Sequence, residues 1–394
     1  AKENVEVKVK GIIDSLLTVK DPKKGSDAQL ISDYYRSYMD TVTLEKLGAT
    51  PLKPWMDRID ALKDLKEQAA LSGAYGRIGV STFLGAYAQP DQKNSQINTL
   101  WSDQDGLSLG ERSYYESTDS AMMKIRAAFV HHVDTMFTLA GLTDKDAGKT
   151  ILAFETGLAK LQLTNIQARD PKIYTKIAFS DYIKLSPKYD LAVAFDQAKI
   201  QSDSVLVQNK EYVTMASNYM AATPLSTLKT WMKWQLLSTY ANTLNKAITD
   251  ENFHFNGTVM SGTKEQKSRA LRALYATNGR LGMPVGKLYA AKYFPPSSRQ
   301  KVEEMIENVR TAYAERIKDL TWMSPETKDK ALAKLALFTT KIGYPDKWKD
   351  YSMVDINPDS LMLNSMHLTE WAVNDNIVRL GKPVDPKEWG MTPQ

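Results

Sequence analysis

The 394 residues contain four imidazoles, His131, His132, His254 and His367. A hydrolytic zinc centre built on a helix needs two of them four positions apart with a carboxylate ready to polarise water, the H-E-x-x-H spacing, and none of the four begins it. His131 and His132 are adjacent, so a helix sends them in different directions and at most one joins a shared site; each of the four reads as a structural or surface histidine. No cysteine is present, which removes disulfides, thiolate zinc ligands and cysteine nucleophiles together. In "WSDQDGLSLGE" the residues Asp103, Asp105 and Gly106 have calcium-loop character, but the position that should carry the bidentate glutamate is Tyr114, so a turn built by aspartate side chains is the reading. "NGRLGMPVG" (278–286) lacks the lysine-serine or lysine-threonine pair of a phosphate loop and reads as a connection between helices. Asn256-Gly257-Thr258 is a glycan acceptor only in a eukaryotic secretory protein. The aromatic run "WMKWQLLSTYANTL" (231–244) reads as core, not as a cofactor pocket.

The elements that would position such groups are mostly helices. Composition is that of an ordinary folded protein, 43% hydrophobic and 25% charged, and the length allows two or three domains. The 51 basic and 46 acidic residues alternate along the chain, as in "RQKVEEMIENVRTAYAERIKD" (299–319), so nucleic-acid binding has no support and solvated helix faces do. No run of 18 apolar residues exists, so nothing here spans a membrane. The opening "AKENVEVKVKGIIDSLL" reads as a helix already under way, as if this end had been made by cutting. Periodicity predicts helices over 27–48, ending at Gly48, and over 54–73, then a small hairpin or irregular excursion over 74–120. Helices follow at 119–141, 144–168, 225–248, 263–276 and 298–321, with a break at 168–190. The 298–321 helix has a capping-box spacing from Ser297 to Gln300 and a broad stripe predicted to be buried, with Met305 and Val309 on one line and Val302, Ile306, Tyr313 and Ile317 beside it. In "TWMSPETKDKALAKLALFTTKIGYPDKW" (321–348), Ser324 caps, Pro325 opens, and Gly343 with Pro345 closes a helix whose face carries Ala331, Leu335, Phe338 and Ile342.

Five stretches carry a resemblance: "YYRSYMDTVTLEKLGATPL" (34–52), "DGLSLGERSYY" (105–115), "FNGTVMSGTKEQ" (255–266), the whole of 293–352 from "YFPPSSRQ" to "WKDYS", and "LGKPVDPKEWGMTPQ" (380–394). They are similar, in collinear order, to the neprilysin-like zinc metallopeptidases of family M13. The resemblance implies a mainly α fold: a large helical lid domain, residues 1–345, that encloses a substrate chamber, and in residues 346–394 the interdomain connection and the first part of a thermolysin-like α+β catalytic domain. It further implies a zinc-dependent endopeptidase acting on peptides and small proteins. The family's substrate-binding strand, its H-E-x-x-H helix, the third zinc ligand and the later histidine would all follow the position of Gln394. This chain would therefore bind no zinc, supply no catalytic residue, and depend on a catalytic half as its partner.

On the same resemblance, Trp348 and Trp389 are candidate anchors at the domain junction, with a plain buried structural role open for both. The absence of cysteine points to a bacterial relative working in the periplasm or outside the cell. A different class of function stays open as well, a stand-alone binding or scaffold protein derived from the lid, which would leave a large apolar patch without a cover.

Overall fold

The computed structural model describes residues 2–170 and 173–393 and is mainly α-helical. The first helices are α1 (Lys2–Leu17), α2 (Asp27–Met39), α3 (Thr41–Leu47), α4 (Lys53–Asp60) and α5 (Leu65–Arg77). Strands β1 (Leu84–Pro90) and β2 (Asn98–Gln104) follow, then α6 (Ser113–Glu116), α7 (Ser120–Leu139) and α8 (Ala147–Ala159). Next come β3 (Thr175–Ala178), α9 (Phe179–Lys184), α10 (Leu191–Gln197), β4 (Ser204–Val207), α11 (Lys210–Ala222), α12 (Leu225–Tyr240) and α13 (Lys246–Phe253). The chain closes with α14 (Arg269–Arg280), α15 (Gly282–Tyr293), α16 (Pro296–Asp319), α17 (Pro325–Ala336) and α18 (Leu361–Ile377).

Two of the long helices read from periodicity are each broken by an aspartate that offers the backbone a better partner. Asp40 takes the Thr43 N–H at 3.0 Å and the Thr43 hydroxyl at 2.6 Å, which ends α2 and starts α3. Asp64 takes the Glu67 N–H while Glu67 takes the Lys63 N–H, both at 2.8 Å, a reciprocal cap that starts α5. The cap expected at Ser297 does not form; Pro295 is the capping residue of α16 and Pro296 its first residue, because a ring-fixed φ is already helical. Ser324 caps α17 as read, accepting from Thr327 N–H at 3.3 Å, but α17 stops at Ala336, so Phe338 and Ile342 lie beyond the helix.

The chain divides into two compact units, 1–35 with 270–353 and 385–394, and 36–269 with 354–384. In the larger unit one hydrophobic core runs from Leu52 to Phe255 and takes in Met362 and Met366 of α18. Trp231 and Trp234 of α12 lie at 1% and 2% exposure within it, so the aromatic run is core as read. The strands form a single sheet in the order β1-β2-β4-β3, with β1/β2 and β3/β4 antiparallel and β2/β4 parallel. The expected hairpin is thus half of a four-stranded sheet whose other strands lie some seventy to a hundred residues downstream. At the outer edge of β1 the Ala88 N–H donates to Asn376 Oδ1 at 2.8 Å and the Ala88 carbonyl accepts from Asn376 Nδ2 at 2.9 Å, so one side chain stands in for a neighbouring strand.

In the smaller unit α1 packs on α15, with Lys8 over the Tyr293 ring at 4.8 Å, and the Tyr275 hydroxyl donates to Glu6 at 2.7 Å. α16 and α17 form a hairpin tied by Arg310 donating to the Phe338 carbonyl at 3.1 Å and Lys328 donating to the Lys318 carbonyl at 2.6 Å. Neither helix has a fully buried residue. The broad stripe of α16 is not buried as predicted: Val302, Ile306 and Ile317 are half-covered, while Met305, Val309 and Tyr313 are 56%, 46% and 60% exposed. A two-helix hairpin has only one partner to offer, so only one side of a wide stripe is covered.

Helix α5 crosses α10 so closely that a side-chain carbon on Gly73 would overlap the Ala194 carbonyl oxygen, whereas one on Gly76 would meet open space. Gly73→Ala is expected to lose about 1–3 kcal/mol of stability in urea unfolding, and Gly76→Ala to stay within about 0.5 kcal/mol of the parent.

Candidate functional site

Both sequence candidates, Trp348 and Trp389, fall in the smaller unit. Beyond α17 the chain turns at Gly343, whose φ of 75° suits glycine and whose missing side chain leaves room for the Phe294 ring. The turn then builds an aromatic series: Phe294 meets Tyr344 edge-on at 6.2 Å, and Tyr344 stacks on Trp348 at 6.2 Å with 14° between the planes. Arg299 of α16 lies over Tyr344 at 5.0 Å while bonding Asp346 at 3.1 Å and Glu303 at 3.0 Å. Lys349 pairs with Glu388 at 3.2 Å, and Lys341 donates to the Glu388 carbonyl. The structure therefore brings the turn and the segment carrying Trp389 together, each tryptophan one residue along the chain from the Lys349–Glu388 pair. Trp389 is buried at 9% exposure and Trp348 half-buried.

His131 and His254 lie near enough to His132 to act on its charge, but the four histidines do not gather into one site. On α7, His131 is exposed and His132 buried, as their adjacency requires. His132 stacks on Phe255 at 4.6 Å and meets Trp234 edge-on, and its Nδ1 lies 2.7 Å from Glu251 Oε1. Burial pushes its pKa down while Glu251 opposes the shift. His254 is exposed, and His367 Nδ1 lies 2.7 Å from the Asp355 carbonyl oxygen. Among the described residues no three His, Asp or Glu side chains gather at one point, and the donor set does not fit a zinc ion. The turn expected from aspartate side chains is not what Asp103 builds: it lies in β2, where strand pairing takes its backbone, and its carboxylate takes the Tyr87 hydroxyl of β1.

The feature that the sequence reading missed is Glu155 of α8, a fully buried carboxylate. Oε1 accepts from the Ser108 hydroxyl at 2.6 Å, Trp231 Nε1 at 3.1 Å and Gln235 Nε2 at 3.2 Å. Oε2 accepts from the Tyr115 hydroxyl at 2.6 Å and the Ser108 N–H at 3.0 Å. Trp234 Nε1 adds a bond to Ser108 Oγ at 2.7 Å, and the Leu109 N–H donates to the Tyr115 hydroxyl at 2.9 Å. The "DGLSLGERSYY" stretch is thus held against α8 and α12 through one acid. Its sequence signal was an ionisable residue among Ile151, Phe154 and Leu158 on the apolar face of a helix, which is rare without dedicated partners. Burial raises the Glu155 pKa to about 7 against the opposing pull of the Ser108, Tyr115 and Trp231 bonds.

A carboxyl whose folded pKa lies above its ordinary 4.5 contributes stability that is fully present below that value and fades as pH rises to about 7. Glu155→Gln is expected to cost about 1–3 kcal/mol at pH 5, where the protonated carboxyl brings one hydrogen into the ring of donors from Ser108, Tyr115, Trp231 and Gln235 and the amide would bring two. The gap between variant and parent should narrow between pH 5 and pH 8, read by urea unfolding at each pH; a gap that widens with pH would contradict the raised pKa.

The sequence matches the family model described as peptidase family M13 over residues 1–345. Endothelin-converting enzyme 1 of Rattus norvegicus is 28% identical over 389 residues, an alignment that covers 91% of this chain and 50% of the enzyme. The open-state structure of Mycobacterium tuberculosis zinc metalloprotease Zmp1 superposes with a TM-score of 0.91 at 30% identity, over 99% of this chain and 61% of that one. PepO from Lactobacillus rhamnosis shares the fold, with a TM-score of 0.84 at 19% identity, over 99% of this chain and 62% of its own. The chain spans about half the length of the curated relatives it matches. A family match across most of the chain, and a helical architecture shared with M13 structures from end to end, lead to one conclusion: the chain belongs to peptidase family M13.

Proposed function

We propose that this chain is the lid-bearing portion of a zinc-dependent endopeptidase that hydrolyses peptides and small proteins, with zinc and the hydrolytic residues supplied by a catalytic half. The observation that carries the proposal is the M13 match over residues 1–345 in a sequence that contains no H-E-x-x-H and whose described residues hold no cluster of three His, Asp or Glu side chains. The lid role is best assigned to the larger unit, which has a closed core of its own. This redraws the lid read from the sequence as 1–345: it leaves out 1–35 and 270–345 and takes in 354–384 from the 346–394 stretch read as the connection.

The smaller unit is the part that the catalytic half covers. Its α16–α17 hairpin exposes Met305, Val309 and Tyr313 one turn apart, with Trp322 at 76% and Phe338 at 57%. A contiguous apolar stripe of this kind needs a cover. The length of M13 relatives beyond what this chain aligns with supplies the candidate. Trp348 and Trp389 would stiffen that unit at the junction. Among the described residues no helix is long and apolar enough to cross a membrane. Work in the periplasm or outside a bacterial cell suits a cysteine-free chain, which is indifferent to an oxidising compartment.

The test is hydrolysis of a short fluorogenic peptide by the 394-residue chain and by a polypeptide that continues into the H-E-x-x-H segment, each with zinc and with chelator. The longer polypeptide is expected to cleave in a chelator-sensitive manner and the 394-residue chain to show no activity. Chelator-sensitive cleavage by the 394-residue chain would overturn the assignment. Met305→Asp with Tyr313→Asp is expected to lower activity of the longer polypeptide at least about tenfold, because two charges then face an apolar cover; unchanged activity would remove the α16 stripe from the interface.

A further inference from the structure

The outer edge of β1 and an apolar cavity beside it, both within the larger unit, carry a second site. Gly85, Tyr87 and Gln89 pair with Asp103, Trp101 and Thr99 of β2. The Ala88 N–H and carbonyl point the other way, into Asn376, and the Leu84 carbonyl also points outward, accepting from the Thr82 hydroxyl at 2.9 Å. Alternation along an antiparallel strand then sends the N–H and carbonyl of Ala86 outward as well. Among the described residues neither group has a partner. Ala86 is half-buried at the wall of a cavity of about 80 Å3, several times the room one water needs.

Phe83, Leu191, Phe195, Ile200, Val373 and Ile377 are among the residues that line it, and no charged side chain does. Ser72 and Thr82 are the hydroxyl-bearing aliphatic residues of the wall. An unpaired donor and acceptor on one residue of a strand edge are the complement of one residue of an extended peptide, which exchanges both bonds with the residue opposite it. A residue placed opposite Ala86 sends its side chain to the same face of the sheet as Ala86. That is the face of Leu84, Leu100 and Val205, on which the cavity lies. Asn376 already fills the neighbouring position, so the edge has room for one residue and not for a long strand.

We infer that this edge and cavity form a peptide-binding site for a single apolar residue in extended conformation, with its main-chain amide and carbonyl on Ala86 and its side chain among Phe83, Phe195 and Ile377. The site discriminates by side chain: a leucine or similar aliphatic group fills the cavity, glycine leaves it empty, and a charged side chain would be stranded without a partner. It takes peptide chemistry from the proposed function, yet it needs neither zinc nor hydrolysis. Failure of the binding test therefore leaves the peptidase reading intact, and the reverse also holds.

The probes are N-acetyl-leucine N-methylamide and N-acetyl-glycine N-methylamide, titrated without metal into the 394-residue chain and followed by amide chemical shifts. Saturable binding of the leucine compound is expected, with Ala86 among the largest shifts and an affinity at least about tenfold above that of the glycine compound. Gly76→Leu places a side chain in open space at the cavity wall and should abolish the shifts in a folded protein. Ala86→Pro, which removes an outward N–H from an edge strand, should weaken binding about tenfold without disturbing the β1–β2 ladder. No saturable binding, equal binding of the two compounds, or binding that survives both substitutions would overturn the site.

Discussion

Five donors from two parts of the chain converge on the Glu155 carboxyl group, and the larger unit is arranged around satisfying them. An acid with no access to water is tolerable only when its lone pairs are taken, so α12 must present Trp231 and Gln235, and the 105–115 stretch must present Ser108 and Tyr115. The same bonds orient Trp234, whose indole reaches Ser108 and whose ring meets His132 and Phe129. A loop that would otherwise be free to vary is fixed to the core at the level of individual atoms. The coupling also explains why a stretch so poor in periodic signal carries a strong family resemblance: its residues serve the acid and not a helix or strand.

Legibility of the fold followed the range over which each signal acts. Ser324, Pro325 and Glu326 announced the start of α17 because a cap is a contact between residues three apart. Asp40 and Asp64 had the same chemistry but sat inside long apolar periodicities, and the period outweighed the cap in the reading. β3 and β4 had only four residues each, too few for a pattern, and their pairing depends on partners far along the chain. Of the site, the different directions of His131 and His132 were legible because adjacency on a helix is geometry. Glu155 was not, since its meaning lies in donors contributed by α12 and the 105–115 loop. The half-covered stripe of α16 was overread for a related reason: periodicity reports that a face is apolar, not that something lies against it.

Both units bury apolar side chains, and each adds its own polar contacts at the edges. In the larger one, apolar faces close on a shared core, and even the free edge of β1 is partly occupied by the Asn376 amide. In the smaller one, Ile12, Ile13, Leu30, Ile31, Leu281 and Val285 are buried as well, and rings and ion pairs are added at the surface: Arg299 across Tyr344 and Asp346, Lys349 on Glu388, Lys8 on Tyr293. Exposed ion pairs contribute little to stability, each about 0–1 kcal/mol, so in both units the buried apolar side chains carry most of it.

The path of α18 sets an order of events during synthesis. Met362 and Met366 belong to the core that Leu52 through Phe255 build, yet they leave the ribosome roughly 100 residues after the last of those partners. At about 5–20 residues per second, that core waits of order 5–20 s with one wall missing. During that interval the nascent larger unit exposes the seat of α18, including the Ala88 edge that Asn376 later occupies. A chaperone that shields an apolar groove or a strand edge would find its work there, and slowing of translation between residues 255 and 366 would lengthen the interval in direct proportion.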